Sequence, residues 1–410
     1  MTPEAAAAER VARESYGRLL ALLAARTRDV AAAEDALAEA FAAALSAWPR
    51  AGLPEKPEAW LLAAARRKLI DSARRAATAA KGEHQVQLTI EELASQADVN
   101  TVPDHRLGLM FACAHPDIDI AARTPLMLQV VLGFSAERIA QAFMIEPATI
   151  SQRLVRAKKR IKDAPLSFEI PSPDLWADRF AAVLEAVYAA YAAGWSAPIG
   201  ADPRRHDLAG EGLWLARVLV GQLPEEPEAR GLLALLLHLE ARKNARRDAA
   251  GAYVPLDEQN LALWNVDMQG EAENLLRAAS RMARPGRFQL EAAIQSAHAA
   301  RAWRGHADWP AIIVLYEALA DITGSPVAYL NHAAALARRD GAEAGIAAVD
   351  AVRTRVPTLE DYQPYWALRA DLLAKLENAS EARAAYDEAC ARETDPAIVS
   401  FLKHRRSLLP

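Results

Sequence analysis

Apolar side chains recur along this chain at helical rather than strand spacing. Between residues 30 and 48, Leu37, Phe41, Leu45 and Trp48 fall four, four and three apart, while Glu34, Asp35 and Glu39 take the other side. That pattern predicts a helix over 30–48. After the turn-forming stretch PRAGLPEKP, a second helix is predicted over 58–75, with Trp60, Leu61, Ala64, the aliphatic stem of Lys68, Ile70 and Ala73 facing in. A third signal lies at 135–162. Ser135 is placed to cap a short helix, 136–144, that turns Ile139, Ala140 and Phe143 inward. Ile145 and Glu146 then form a tight turn. Pro147 suits the first position of the next helix, where its missing N–H costs nothing. That helix is expected to bury Ile150, Leu154, Ala157 and Ile161 and to show Thr149, Gln152, Arg153, Arg156, Lys159 and Arg160.

Breaks in the pattern divide the chain. Residues 82–104 are polar and end in a proline, and 163–174 carry Pro165, Pro171 and Pro173, which forbid one continuous helix. A further loop is expected at 196–207. Near the C-terminus the chain repeats itself. Tyr329, Ala333, Leu336, Gly345, Val349 and Val352 align with Trp366, Ala370, Leu373, Ala382, Tyr386 and Ala389, each pair 37 residues apart. Ala299, Ala311, Leu315 and Ala318 form a weaker copy 34 residues before Ala333, Gly345, Val349 and Val352. A period near 34 with small residues at helix crossings is the tetratricopeptide pattern; a non-repetitive helical bundle is the alternative.

Composition agrees with the periodicity. Hydrophobic residues make up 52% of the 410 but aromatics only 6%, and alanine supplies nearly a quarter. Alanine is the best helix former, whereas strands need β-branched and aromatic side chains, so an all-α fold is expected. Two cysteines, Cys113 and Cys390, exclude a disulfide scaffold. No apolar run is long enough for a membrane helix and the N-terminus lacks a signal-like apolar core, which points to a cytoplasmic protein with no membrane contact.

The net charge of −5 is uneven, near +1 over 1–170 and −6 over 171–410. Within residues 65–81, Arg66, Arg67, Lys68, Arg74, Arg75 and Lys81 stand against Asp71 alone. Residues 147–162 hold Arg153, Arg156, Lys158, Lys159, Arg160 and Lys162 with no acid. Clustered positive charge suits an anionic partner. The second cluster lies on the outer face of the second helix of a helix-turn-helix pattern. That geometry fits the major groove, with short polar groups for base edges and Arg and Lys for phosphates; an ordinary helical hairpin is the alternative.

Catalytic chemistry is absent from the pattern. There is no phosphate-cradling glycine loop, HExxH or CxxC. Cys113, His115, Asp117 and Asp119 are the densest group of possible ligands, but one Cys and one His do not make a zinc site. His238 and His298 sit in apolar helices and read as core histidines. No enzyme, cofactor or metal is expected.

These segments resemble a known family. AEDALAEAFAAALSAW (33–48) with PEAWLLAAARRKLIDSARR (57–75) resembles region 2 of RNA polymerase sigma factors of the extracytoplasmic-function type, and residues 123–164 resemble region 4. DHRLGLMFACAHPDI (104–118) and the segments 232–264, 286–299 and 308–337 are similar to a subgroup with a long C-terminal extension ending in tetratricopeptide-like repeats. The resemblance implies sigma region 2 at 5–81, a linker at 82–104, region 4 at 105–164, a helical extension at 174–285 and repeats at 286–410. It further implies that Asp35, Leu37, Glu39 and Phe41 dock the clamp helices of the polymerase β′ subunit, with the β flap as a second contact of the core. Arg66, Arg67, Lys68, Arg74 and Arg75 would lie on the downstream (minus-ten) promoter element. Thr149, Gln152, Arg153, Arg156 and Lys159 would read the upstream (minus-thirty-five) element.

Departures from the family pattern are Ala38 where many relatives have Gln, Arg67 where they often have Asn, and Ala192, Ala193, Gly194 and Trp195 in place of Asn-Glu-Gly-Tyr. The function implied is that of an initiation factor with a fused regulatory extension, whose repeats take a protein or peptide ligand. A helical-repeat adaptor whose helix-turn-helix does not recruit polymerase is the rival. On this reading the acidic extension is expected to pack on region 2 or region 4 through charge, covering a basic helix.

Overall fold

The computed structural model describes residues 3–79, 105–143, 145–164, 168, 173–195 and 203–410; the expected linker at 82–104 lies outside them, as does much of 163–174. Among the described residues the regular elements are helices, with a single antiparallel bridge between Arg247 and Tyr253. The fold is all-α. The chain divides into two compact units, Met1–Ser196 with Asp202–Gly212, and Ala197–Ala201 with Leu213–Pro410.

The first unit opens with α1 (Pro3–Thr27), α2 (Val30–Ala51) and α3 (Pro57–Ala79), each packed on the other two. Asp29 starts α2, its Oδ1 accepting the Ala32 N–H at 3.0 Å. The inward face of α2 is Val30, Ala33, Ala36, Leu37, Ala40, Ala44 and Trp48. Leu45 is therefore not a core residue: eight positions after Leu37 it has rotated about 80° round the helix, and it is 54% exposed. On α3 the buried stripe is Leu61, Leu62, Ala65 and Leu69, while Lys68 faces out rather than lending its stem to the core. Trp48 meets Trp60 edge-on at 5.7 Å.

Then follow α4 (Arg106–Cys113), α5 (Ile120–Leu132), α6 (Ala136–Phe143), α7 (Pro147–Asp163) and α8 (Pro173–Trp195). Helix α5 is apolar on most sides and packs on α1, α4, α6, α7 and α8. Its approach to α1 is set by Gly17, where a Cβ would stand 2.1 Å from the Val131 carbonyl oxygen. No larger residue fits there without parting the helices. The group around Cys113 is consumed by structure: Cys113 is fully buried, His115 Nδ1 accepts the Asp117 N–H at 3.1 Å, and Asp119 caps α5 by accepting from Ala121 N at 2.9 Å.

Helix α8, the start of the expected extension, belongs to this first unit. It packs on α4, α5 and α6, and Trp176 and Phe180 lie 5.0 and 6.3 Å from the Phe111 ring. The contact is aromatic, with Phe111 and Phe180 buried and Trp176 half-buried, rather than the charged one expected.

Helix α9 (Pro203–Gln222) contains the division at Gly212, and the second unit continues with α10 (Pro227–Ala241), α11 (Val266–Ser280) and α12 (Arg287–Ala299). Leu232, Leu233, Leu235, Leu236 and Leu237 bury α10 against α11 and α12. Glu228 caps α12, accepting from the backbone N–H groups of Phe288 and Gln289 at 3.0 and 3.1 Å. Beyond lie α13 (Trp309–Thr323), α14 (Pro326–Asp340), α15 (Ala342–Arg355), α16 (Gln363–Lys375), α17 (Ala379–Arg392) and α18 (Pro396–Ser407). The pair α16–α17 begins 37 residues after the pair α14–α15, helix for helix. Gly345 permits the α14–α15 crossing, since a Cβ there would lie 2.4 Å from Ala337 Cβ. The weaker upstream copy falls on α12 and α13, with Ala299 buried at the end of α12. On α13 the buried residues are Ile312, Ile313, Leu319 and Ala320, and the aligned Ala311, Leu315 and Ala318 sit beside that stripe, half-buried.

Two histidines make the second unit sensitive to acid. His238, on α10, is 3.6 Å from Glu273, and burial outweighs that carboxylate to push its pKa down to about 4. Burial likewise takes His298 on α12 to about 4, against the pull of Asp257 and with the help of Arg242, Arg301 and Arg338. Between about 4 and the ordinary 6.5, the unfolded chain binds protons at these positions that the folded chain refuses. Stability should thus fall as pH drops through that window, by up to about 1.4 kcal/mol per pH unit for each histidine. Urea midpoints measured from pH 7 to 4.5 should show this slope, and His298→Gln should remove up to one proton of it.

Candidate nucleic-acid and polymerase interface

Helix α7 forms as its sequence dictates. Glu146 and Pro147 start it, the Arg138 N–H donates to Ser135 Oγ at the head of α6 (3.2 Å), and the buried stripe is Ile150, Leu154, Ala157 and Ile161. Gln152, Arg156, Lys159 and Arg160 are exposed; Thr149 and Arg153 are half-buried. Arg153, Arg156 and Arg160 line a shallow hollow of about 230 Å³ with Asp117, Ile118 and Asp119, and Arg160 pairs with Asp117 at 2.8 Å. Lys159 pairs with Asp163 one turn on, at 2.6 Å. Val155, 66% exposed, adds an apolar contact to this face that the sequence reading did not single out, although it stands off the 150/154/157/161 stripe.

The two cations of α7 that sequence reasoning left without a role carry its contact with α2. Lys158 is ion-paired with Glu34, and both side chains are largely buried. Lys162 pairs with Asp29 at 2.8 Å, a bond that raises the lysine pKa. Lys158 lies four residues after Leu154 and three before Ile161, on the flank of the buried stripe; that spacing was the available signal. Burial raises the Glu34 pKa more than Lys158 lowers it. The pair therefore fixes how α7 sits on α2 more than it stabilises the unit.

On α3, Arg67, Lys68, Arg74 and Arg75 are exposed, forming one basic surface. Arg66 borders the Leu62/Leu69 stripe and is half-buried, and desolvation with the nearby Arg26 lowers its pKa. On α2, Asp35 and Glu39 are exposed as expected, and Glu39 is ion-paired with Lys68, joining the acidic and basic surfaces. Leu37 is corrected as a docking residue, since it is wholly buried and holds α2 to its neighbours. Phe41 is half-buried, its ring stacked 6.4 Å from Tyr16.

Removing one partner of the inner pair strands the other. Glu34→Ala should lower the unfolding free energy by about 2–4 kcal/mol, toward the range for buried pairs. Glu34→Gln combined with Lys158→Met should recover most of the loss. Lys162→Ala, at an exposed pair, should cost about 1 kcal/mol or less. Urea denaturation of the four proteins checks the order.

Residues 11–78, spanning most of α1 through α3, match the Sigma-70 region 2 family, and residues 179–280 match a family of unknown function, DUF6596. No solved structure matches the chain. Uncharacterized protein R00370 of Rhizobium meliloti (strain 1021) is 38% identical over 381 residues, 92% of this chain and 89% of that protein. Sigma-70 region 2 is the part of such factors that binds RNA polymerase core, and it implies the use of promoter DNA. The chain belongs to one family with the Rhizobium meliloti protein, and its residues 11–78 carry a Sigma-70 region 2 domain, which supports a sigma-70 family factor.

Proposed function

We propose that this protein is an initiation factor of the extracytoplasmic-function type, which binds RNA polymerase core and directs it to particular promoters. One observation carries the reading: the region 2 match falls on a helix with an exposed basic face, α3, and the same compact unit presents a second such face on α7. In this reading α6 and α7 are the helix-turn-helix of region 4, within 105–164. Gln152 and Arg153 near the start of α7 read base edges, Val155 meets a thymine methyl, and Arg156 and Lys159 hold phosphates. Arg67, Lys68, Arg74 and Arg75 take the downstream element. Asp35 and Glu39, with the accessible edge of Phe41, meet the β′ clamp helices, while Leu37 and Arg66 support those surfaces from within. The extension, 174–285, and the tetratricopeptide-like pairs in 286–410 form the regulatory part, with a protein or peptide as ligand. The protein itself catalyses nothing and works in the cytoplasm.

Run-off transcription with purified core polymerase and the full chain tests this. Specific transcripts should appear with the wild type and vanish with Asp35→Lys/Glu39→Lys, whose melting temperature should stay close to wild type. Arg153→Ala should weaken promoter binding by about 1–3 kcal/mol and relax preference at one base, while Lys159→Ala should weaken all sequences alike. A chain that neither co-purifies with core polymerase nor redirects it would be the adaptor instead.

A further inference from the structure

In the second unit, a guanidinium and an indole are buried with donors that no acceptor among the described residues receives. Arg301 opens a single helical turn, Arg301–Arg304, directly after α12, and its side chain is only 11% exposed. Its Cζ lies 5.2 Å from the centroid of the Trp264 ring. Nε and Nη2 are shut off from solvent and have no hydrogen-bond acceptor among the described residues. Nη1 alone has an acidic neighbour, Asp257 Oδ1 at 4.0 Å, and the other oxygen of that carboxylate is held by Arg338. Trp264, 6% exposed, likewise leaves its Nε1–H buried and without an acceptor. Around them the walls are apolar: Ala245, Ala299, Leu256 and Leu261 pack with Trp264.

A buried N–H without an acceptor is costly, the more so when the group is charged. Two such donors on one guanidinium edge, beside an indole whose own donor has no acceptor, call for an acceptor from outside. Nε and Nη2 form one edge of the guanidinium fork, the edge that matches the two oxygens of a carboxylate. Charge points the same way. Arg301 and Arg338 face one carboxylate, Asp257, and His298, one turn before Arg301 with its ring edge-on to Trp309 at 5.5 Å, adds no negative charge. A fully hydrated phosphate would gain little from walls of alanine, leucine and tryptophan, whereas an organic body would be buried by them.

We propose that Arg301 and Trp264 form a binding site for the carboxylate of a small organic acid. The Arg301 Nε–H and Nη2–H fork its two oxygens, the Trp264 Nε1–H donates a third bond, and the apolar body lies against the indole, Leu256 and Leu261. The site concerns the second unit alone and does not rest on the transcription reading.

Calorimetric titration of the full-length protein with sodium benzoate, sodium acetate and sodium phosphate tests it, with thermal midpoints read against sodium chloride at matched ionic strength. Benzoate should bind and raise the midpoint, acetate should do so more weakly, and phosphate and chloride should not. Arg301→Lys keeps the charge but loses the fork and should weaken benzoate at least tenfold. Trp264→Phe keeps a ring but loses the donor and should weaken it several-fold, and it carries the comparison should Arg301→Lys fail to fold. Absence of carboxylate binding in the wild type overturns the proposal. So does phosphate binding without carboxylate binding, or equal benzoate affinity in the wild type and every folded variant.

Discussion

The first unit turns on the contact between α1 and α5 at Gly17. A backbone carbonyl occupies the place of a side chain there, so the two helices meet at a distance only glycine allows. Helix α1 belongs to the region 2 match, and α5 is the helix on which α4, α6, α7 and α8 are assembled. The close approach therefore holds the first helical bundle and the basic α7 in one body. Where the helices bring α7 against α2, the ion pairs of Lys158 and Lys162 set its angle.

Those pairs work by selection more than by strength. Glu34 is buried far enough that desolvation outweighs its lysine, so an apolar pair of the same shape would hold the helices about as well. What carboxylate and ammonium add is intolerance of other registers, since a slip of α7 by one residue would strand both charges. The exposed pairs, Lys159 with Asp163 and Arg160 with Asp117, impose no such demand and leave the outer face of α7 free to exchange partners.

Much of this was legible in the residues. The 4-3-4 spacing of Ile150, Leu154, Ala157 and Ile161 stands against an opposite face that is polar apart from Val155, and the structure buries those four. Helix α2 was harder, because alanines carry its packing and an alanine on the inner face looks like one on the outer. Leu45 points to the wrong side for that reason, and Leu37 is assigned to a surface from which it is turned away. One residue along a helix is 100° of rotation, enough to move a side chain from rim to core. The tilted ring contacts of Trp176 and Phe180 with Phe111 join segments some 65 residues apart, and no local pattern encodes such a meeting. The orphaned donors of Arg301 and Trp264 were equally invisible, since only the folded chain shows which hydrogen bonds are missing.

The carboxylates of Asp29 and Glu34 also act as built-in counterions. A duplex sheds condensed cations into solution for each phosphate that a protein neutralises, and this release makes association depend on salt. Lysines already matched by carboxylates neutralise no phosphate, so Lys158 and Lys162 displace nothing while α7 rests on α2. Each lysine freed to face DNA would steepen the logarithmic salt dependence by about 0.9. In a factor that meets promoters as proposed, that slope reports how far α7 has left α2, and it does so without any structure of the complex.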